Sequence, residues 1–169
     1  AWIVLLKHAL SATAARPTAK WLKTGEKLLD VIGRDKALAA HNRWLPRVTQ
    51  GRSIARLGAY PGAARAASDL MNEENATCLR GLLWLTPALG RDRSDGGPTD
   101  LMRAVAAVAT SAYRKVPGIG PRAIKVGNAA VYALSEMGSP EAVGHLAMLK
   151  VRVKFGTAQK EIDKAFNTA

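Results

Sequence analysis

Apolar residues return every three or four positions along most of this chain, which is the rhythm of helices with one buried face. Trp21, Gly25, Leu28 and Ile32 step by four, three and four, predicting a helix over 17–32 that opens at Pro17 and closes at Gly33. Residues 1–14 predict an earlier helix that stops before Pro17, because the residue preceding proline resists the α region. A third is predicted over 35–48, with Leu38, Trp44 and Leu45 inward and Pro46 bending its last turn. The rhythm resumes over 74–89 through Ala76, Leu79, Leu83 and Trp84, with a tight end at Pro87 before Gly90. Further helices are expected from Pro98 to Val116 and from Arg122 to Met137. Ser139-Pro140-Glu141 then places a capping hydroxyl and a proline where another helix starts. Leu149 to Phe155 alternates like a half-buried strand, but with no partner strand elsewhere it predicts a helix end and a turn. The last helix begins near Thr157 and carries Ile162 and Phe166 inward.

Between these segments lie breaks rich in Gly and Pro. Residues 49–63, with Arg52 and Arg56 among Gly51, Ser53, Gly58, Pro61 and Gly62, form the longest expected loop and the expected mobile segment, followed by a helical turn over 63–71. Residues 91–97 and 117–121 form two more breaks. Gly90 and Gly138 end comparable helices 48 residues apart, each followed by a second helix, a spacing in the range of helical solenoid repeats. The expected pairs are 17–48, 74–116 and 122–152, with half-pairs at each end. A single all-α domain cut from a longer array would have this form.

Composition narrows this further. With 169 residues the chain can bury about two-thirds of its unfolded surface without staples. One cysteine, Cys78, excludes an internal disulfide and a thiolate metal cluster, and points to a reducing, cytoplasmic setting. The opening Ala-Trp-Ile-Val-Leu-Leu is interrupted by Lys7 and His8 and reads as a helix face rather than a leader. No run approaches the ~18 apolar residues of a membrane span, so no membrane is expected as a partner. A helix already under way at Ala1 suggests an interior piece of a longer polypeptide.

The formal net charge of +12 is unevenly spread: +8 over residues 1–60, −1 over 61–112 and +5 over 113–169. Such a field attracts nucleic acid, acidic protein or anionic lipid alike, and would equally suit a solvated helix surface. Arg16, Lys20, Lys23 and Lys27 form a basic stripe on the second helix.

The stretch from Lys125 to Leu146, in which an Ala-Ala and Ala-Leu helix ends at Gly138 and Ser139-Pro140-Glu141-Ala142-Val143 opens its partner, resembles a HEAT-like repeat. The resemblance implies a right-handed α-solenoid of HEAT-like helix pairs, about seven helices in all; the loop at 49–63 is a departure that a regular array would not need. Trp2–His8, Pro17–Leu22, Asn75–Leu85, Lys115–Asn128 and Gln159–Ala165 are similar to the helical region of large bacterial proteins of the MolR-like type, often joined to a WGR domain. That resemblance implies an uncharacterised binding or scaffold module whose partners are a protein, flanking domains of the same polypeptide, or nucleic acid. It supplies no catalytic residue and no cofactor.

Val116-Pro-Gly-Ile-Gly-Pro-Arg-Ala-Ile-Lys125 resembles the hairpin of helix-hairpin-helix DNA-binding modules. There a Gly-apolar-Gly turn lets backbone amides approach a phosphate while basic neighbours add charge. Gly118, Ile119, Gly120, Arg122 and Lys125 occupy those positions. Against this stands a tight inter-helix turn with Ile119 plugging the gap. The Gly118, Gly120 and Ala123 spacing also matches a dinucleotide fingerprint, but a helix rather than a strand precedes it. His8, His41 and His145 lack metal-ligand spacing. Cys78 reads as a small buried hydrophobe, Glu73 and Glu74 as helix-start residues, and Trp2, Trp21, Trp44 and Trp84 as core anchors. The leading expectation is a non-catalytic binding module; the alternative is a nucleic-acid-processing enzyme such as a HEAT-like DNA repair glycosylase.

Overall fold

The computed structural model describes residues 1–50, 70–90 and 99–169. The expected loop at 49–63, its following turn and the break at 91–97 fall largely outside them. Among the described residues there are eight α-helices: α1 (Trp2–Leu10), α2 (Ala19–Ile32), α3 (Arg34–Val48), α4 (Glu73–Leu85), α5 (Thr99–Tyr113), α6 (Ile124–Met137), α7 (Pro140–Arg152) and α8 (Gly156–Thr168). A 3-10 turn, Thr86–Leu89, extends α4, and two short strands, β1 (Lys115–Val116) and β2 (Gly120–Pro121), pair antiparallel between α5 and α6.

Local chemistry explains most boundaries. Thr18 rather than Pro17 starts α2, its Oγ1 accepting from the Trp21 amide at 3.2 Å. Asn72 caps α4 by accepting from the Glu74 and Asn75 amides, and Glu73 and Glu74 complement the positive helix end. Pro87 is accommodated by tightening the chain into the 3-10 turn. Ser139 Oγ accepts from the Ala142 amide at 3.2 Å, and Pro140 takes the first position of α7. Pro46 lies in the last turn of α3, which runs on to Val48. Between α7 and α8, Val153–Phe155 is an extended connector, without a strand partner.

Two rows of helices carry the core. In one, α1 packs on α4, α4 on α6 and α6 on α8; in the other, α3 packs on α5 and α5 on α7. The rows meet chiefly where α6 lies against α5 and α7, while α2 covers α1, α3 and α4. Val126, Ala129, Ala130, Val131, Ala133 and Leu134 are buried all along α6, the helix with the most neighbours. Small residues permit this closeness: a Cβ at Gly81 of α4 would lie 2.4 Å from the Ala9 carbonyl oxygen of α1.

Gly25, Ile32, Leu38 and Leu45 are buried as their spacing predicts, and one inward assignment shifts by one position. Leu29, not Leu28, is fully buried on α2, and on α3 the buried set is Ala37, Leu38, Ala40, His41 and Leu45, with Trp44 half-buried. Trp84 is buried, whereas Trp2, Trp21 and Trp44 are half-buried and pack on the core. Trp2 meets Trp44, and Trp21 meets Trp84, each edge to face with centroids 5.4 Å apart. No helix among the described residues is long and apolar enough to cross a membrane.

Candidate nucleic-acid interface

The helix expected to reach Val116 ends at Tyr113, because Lys115 and Val116 turn outward to pair with Pro121 and Gly120. Gly118 and Gly120 have φ of 75° and 125°, values that residues with a Cβ rarely adopt, so the glycines are what let this hairpin close. Its tip is exposed. Ile119 is 54% accessible and does not plug an inter-helix gap, and its amide donates to the Val116 carbonyl oxygen.

The two basic residues of the motif are engaged by other parts of the chain, Arg122 in a half-buried position and Lys125 in an exposed ion pair. Arg122 Nη1 donates to the Val48 carbonyl oxygen at 3.0 Å and to Ser111 Oγ at 2.8 Å. Lys125 Nζ is ion-paired with Glu73. Arg122 therefore holds the hairpin to the end of α3, and Lys125 joins the start of α6 to the start of α4.

Beside the hairpin lies a cleft of about 1170 Å³. Its floor is α5, where Ala107, Thr110, Ser111 and Arg114 follow at helical spacing on the outer face. Thr49 and Gln50 after α3, Lys115 and Gly120–Arg122 of the hairpin, and Arg152–Phe155 at and after the end of α7 also line it. Five of these residues are cationic, Arg114, Lys115, Arg122, Arg152 and Lys154, and no carboxylate is among them. Lys115, Arg152 and Lys154 are exposed and make no ion pair among the described residues. The cleft thus concentrates positive potential over a partly apolar floor and wall.

Tyr113 lines the inner side. Its hydroxyl donates to Asn128 Oδ1 at 2.8 Å, and burial, reinforced by the Glu161 carboxylate, pushes the phenol above its usual range. It stays protonated at neutral pH and serves as a structural donor.

The basic stripe lies apart from this cleft. Lys20, Lys23 and Lys27 are exposed on α2, which packs on α1, α3 and α4, and none of them lines the cleft. Arg16 reaches Glu161 of α8 across an exposed 3.4 Å pair. Of the nine residues singled out from the sequence, the cleft gathers Gly120 and Arg122; the hairpin tip and Lys125 are close in sequence but outside its lining. Sequence reading missed Arg114, Lys115, Arg152 and Lys154. The Lys150-Val-Arg-Val-Lys154 alternation was visible, but nothing in it revealed that its cations meet those after α5.

His41 is buried with Nδ1 2.8 Å from the Ala37 carbonyl oxygen, and His8 stacks on Trp21 with Nε2 3.0 Å from the Trp21 carbonyl oxygen. Burial pushes the Cys78 thiol up, away from nucleophile chemistry. No cluster of three or more His, Cys, Asp or Glu able to hold a metal ion occurs among the described residues.

Fold and site together define an all-α protein with a cationic cleft over the middle helix of a three-helix row. No family model matches the chain, and no curated protein and no solved structure matches it.

Proposed function

We propose that this chain is a non-catalytic nucleic-acid-binding module, formed by a HEAT-like α-solenoid segment of a larger bacterial protein. The observation that carries the reading is the gathering of Arg114, Lys115, Arg122, Arg152 and Lys154 in one cleft, with no carboxylate in its lining among the described residues. A phosphate chain is the common biological polymer that matches closely spaced positive charge without needing acidic counterparts. The solenoid part is supported by the stacking of alternate helices, α4 on α6 on α8 in one row and α3 on α5 on α7 in the other. The departure is that α4 and α5, expected as a pair, share little direct contact.

A docking scaffold for another protein is the second reading, favoured by Ile3 and Val4 of α1 and Val31 of α2, which are 71%, 53% and 73% exposed. The glycosylase alternative needs a carboxylate beside the bound base, and none lines the cleft among the described residues.

Fluorescence anisotropy with unrelated oligonucleotides at low and near-physiological salt tests the proposal. Binding should weaken steeply with salt, as expected when phosphate contacts release counterions. An absence of binding at low salt would leave the scaffold reading in its place.

A further inference from the structure

We infer that the cleft takes a single strand of nucleic acid rather than a duplex, its phosphates on the cationic rim and a base against Phe155; this rests on the nucleic-acid reading above. Size is the first argument. About 1170 Å³ is little more than the ~300–1,000 Å³ of ordinary small-ligand sites. It has room for a short run of nucleotides, whereas a duplex is engaged by protein elements that enter its grooves rather than by being taken into a pocket of this size.

The second argument is the character of the lining. Phe155, just before α8, is half-buried, packs against the core and lines the cleft together with Pro121 and Val153. Bases paired inside a duplex cannot reach such a ring, but an unpaired base can stack on it. Lys115 on the hairpin and Arg152 and Lys154 at and after the end of α7 line the same cleft, so charge and ring occupy one concavity. Aromatic platforms bordered by flexible cations are the general means of holding single strands without reading their sequence. Thr110 and Ser111 on the floor add hydroxyls within the same cleft.

The test compares labelled oligodeoxythymidine, oligouridine, a mixed-sequence duplex and poly-glutamate on the intact chain. The single strands should bind at least about tenfold tighter than the duplex, and the deoxy and ribo arms show which nucleic acid is preferred. Phe155→Leu should weaken single-strand binding about tenfold while leaving the salt slope unchanged. Replacing Lys115, Arg152 and Lys154 together by Ala should reduce that slope by about 2, from ~0.7 per phosphate contact on a single strand. Phe155→Trp keeps a ring in place, and should retain affinity and show fluorescence quenching on single-strand binding. That variant decides the matter if Phe155→Leu melts early.

Equal affinity for duplex and single strand, or full single-strand affinity in a folded Phe155→Leu protein, overturns the single-strand inference but leaves nucleic-acid binding standing. Poly-glutamate binding as tightly as the oligonucleotides, or no binding of any probe, overturns both.

Discussion

Arg122 and Val48, 74 residues apart in sequence, are joined by a 3.0 Å hydrogen bond from the guanidinium to the carbonyl oxygen at the end of α3. The same nitrogen reaches Ser111 Oγ of α5, so one side chain fixes the hairpin, α5 and α3 together. Arg122→Ala leaves the Val48 carbonyl without this charged donor, and should cost about 1.5–3 kcal/mol. Urea unfolding checks it. A midpoint equal to that of the parent would show that the bond contributes nothing to stability.

Lys125 and Lys115 should separate cleanly in binding. Lys125 is held by Glu73 outside the cleft, whereas Lys115 lies in the lining without an ion pair among the described residues. Lys115→Ala should therefore lower the salt slope of oligonucleotide binding by about 0.7, and Lys125→Ala should leave it unchanged. A slope that falls only for Lys125→Ala would move the interface to the start of α6.

The crossing of α1 and α4 predicts a contrast between two glycines. A Cβ at Gly81 meets Ala9 backbone at 2.4 Å, while one at Gly25 meets the movable end of the Leu85 side chain. Gly81→Ala should destabilise by about 1–3 kcal/mol through overpacking, outweighing the ~1 kcal/mol that alanine gains in helix propensity. Gly25→Ala should be milder, since leucine can change rotamer. Thermal melts of the two variants give the order directly, and a milder effect at Gly81 would contradict the close approach.

His41 predicts a pH dependence. Burial, as the largest influence, holds its pKa below the usual 6.5, partly offset by the Ala37 and Leu82 backbone. In the unfolded chain it takes up a proton near 6.5, but in the folded chain only at lower pH. Its contribution is therefore present above about 6.5 and is lost as pH falls from there through the folded value. His41→Gln should flatten the fall in melting temperature between neutral and mildly acidic pH. A parallel pH profile for the variant and the parent would assign the acid sensitivity to other groups.

Much of the fold was legible because its signals are local. Ser139 and Pro140 start a helix through contacts spanning three residues, Gly138 ends one with a φ of 56°, and the spacing of Ala76, Leu79 and Leu83 marks a buried face within a single helix. The β1–β2 hairpin was not legible. Val116-Pro-Gly-Ile-Gly suggested a Gly-apolar-Gly turn between two helices, and whether its flanks pair as strands depends on the amides of Arg122 and Ala123 finding the carbonyl oxygens of Arg114 and Ala112.

The candidate site divides along the same line. The amino-acid sequence by itself determined an all-helical chain, where most helices start and stop, and an excess of positive charge at both ends, since each follows from residue type and short-range spacing. Only the tertiary structure decided which of those charges share a surface. Packing α3, α5 and α7 side by side brought Lys115, Arg152 and Lys154 into one cleft and tied Arg122 to α3 and α5, while the meeting of α4 and α6 paired Lys125 with Glu73 and α2 kept Lys20, Lys23 and Lys27 away from the cleft. Helix formation is governed by neighbours within a turn, but the meeting of charges from distant helices is governed by how their apolar faces pack, which residue spacing along one helix does not specify.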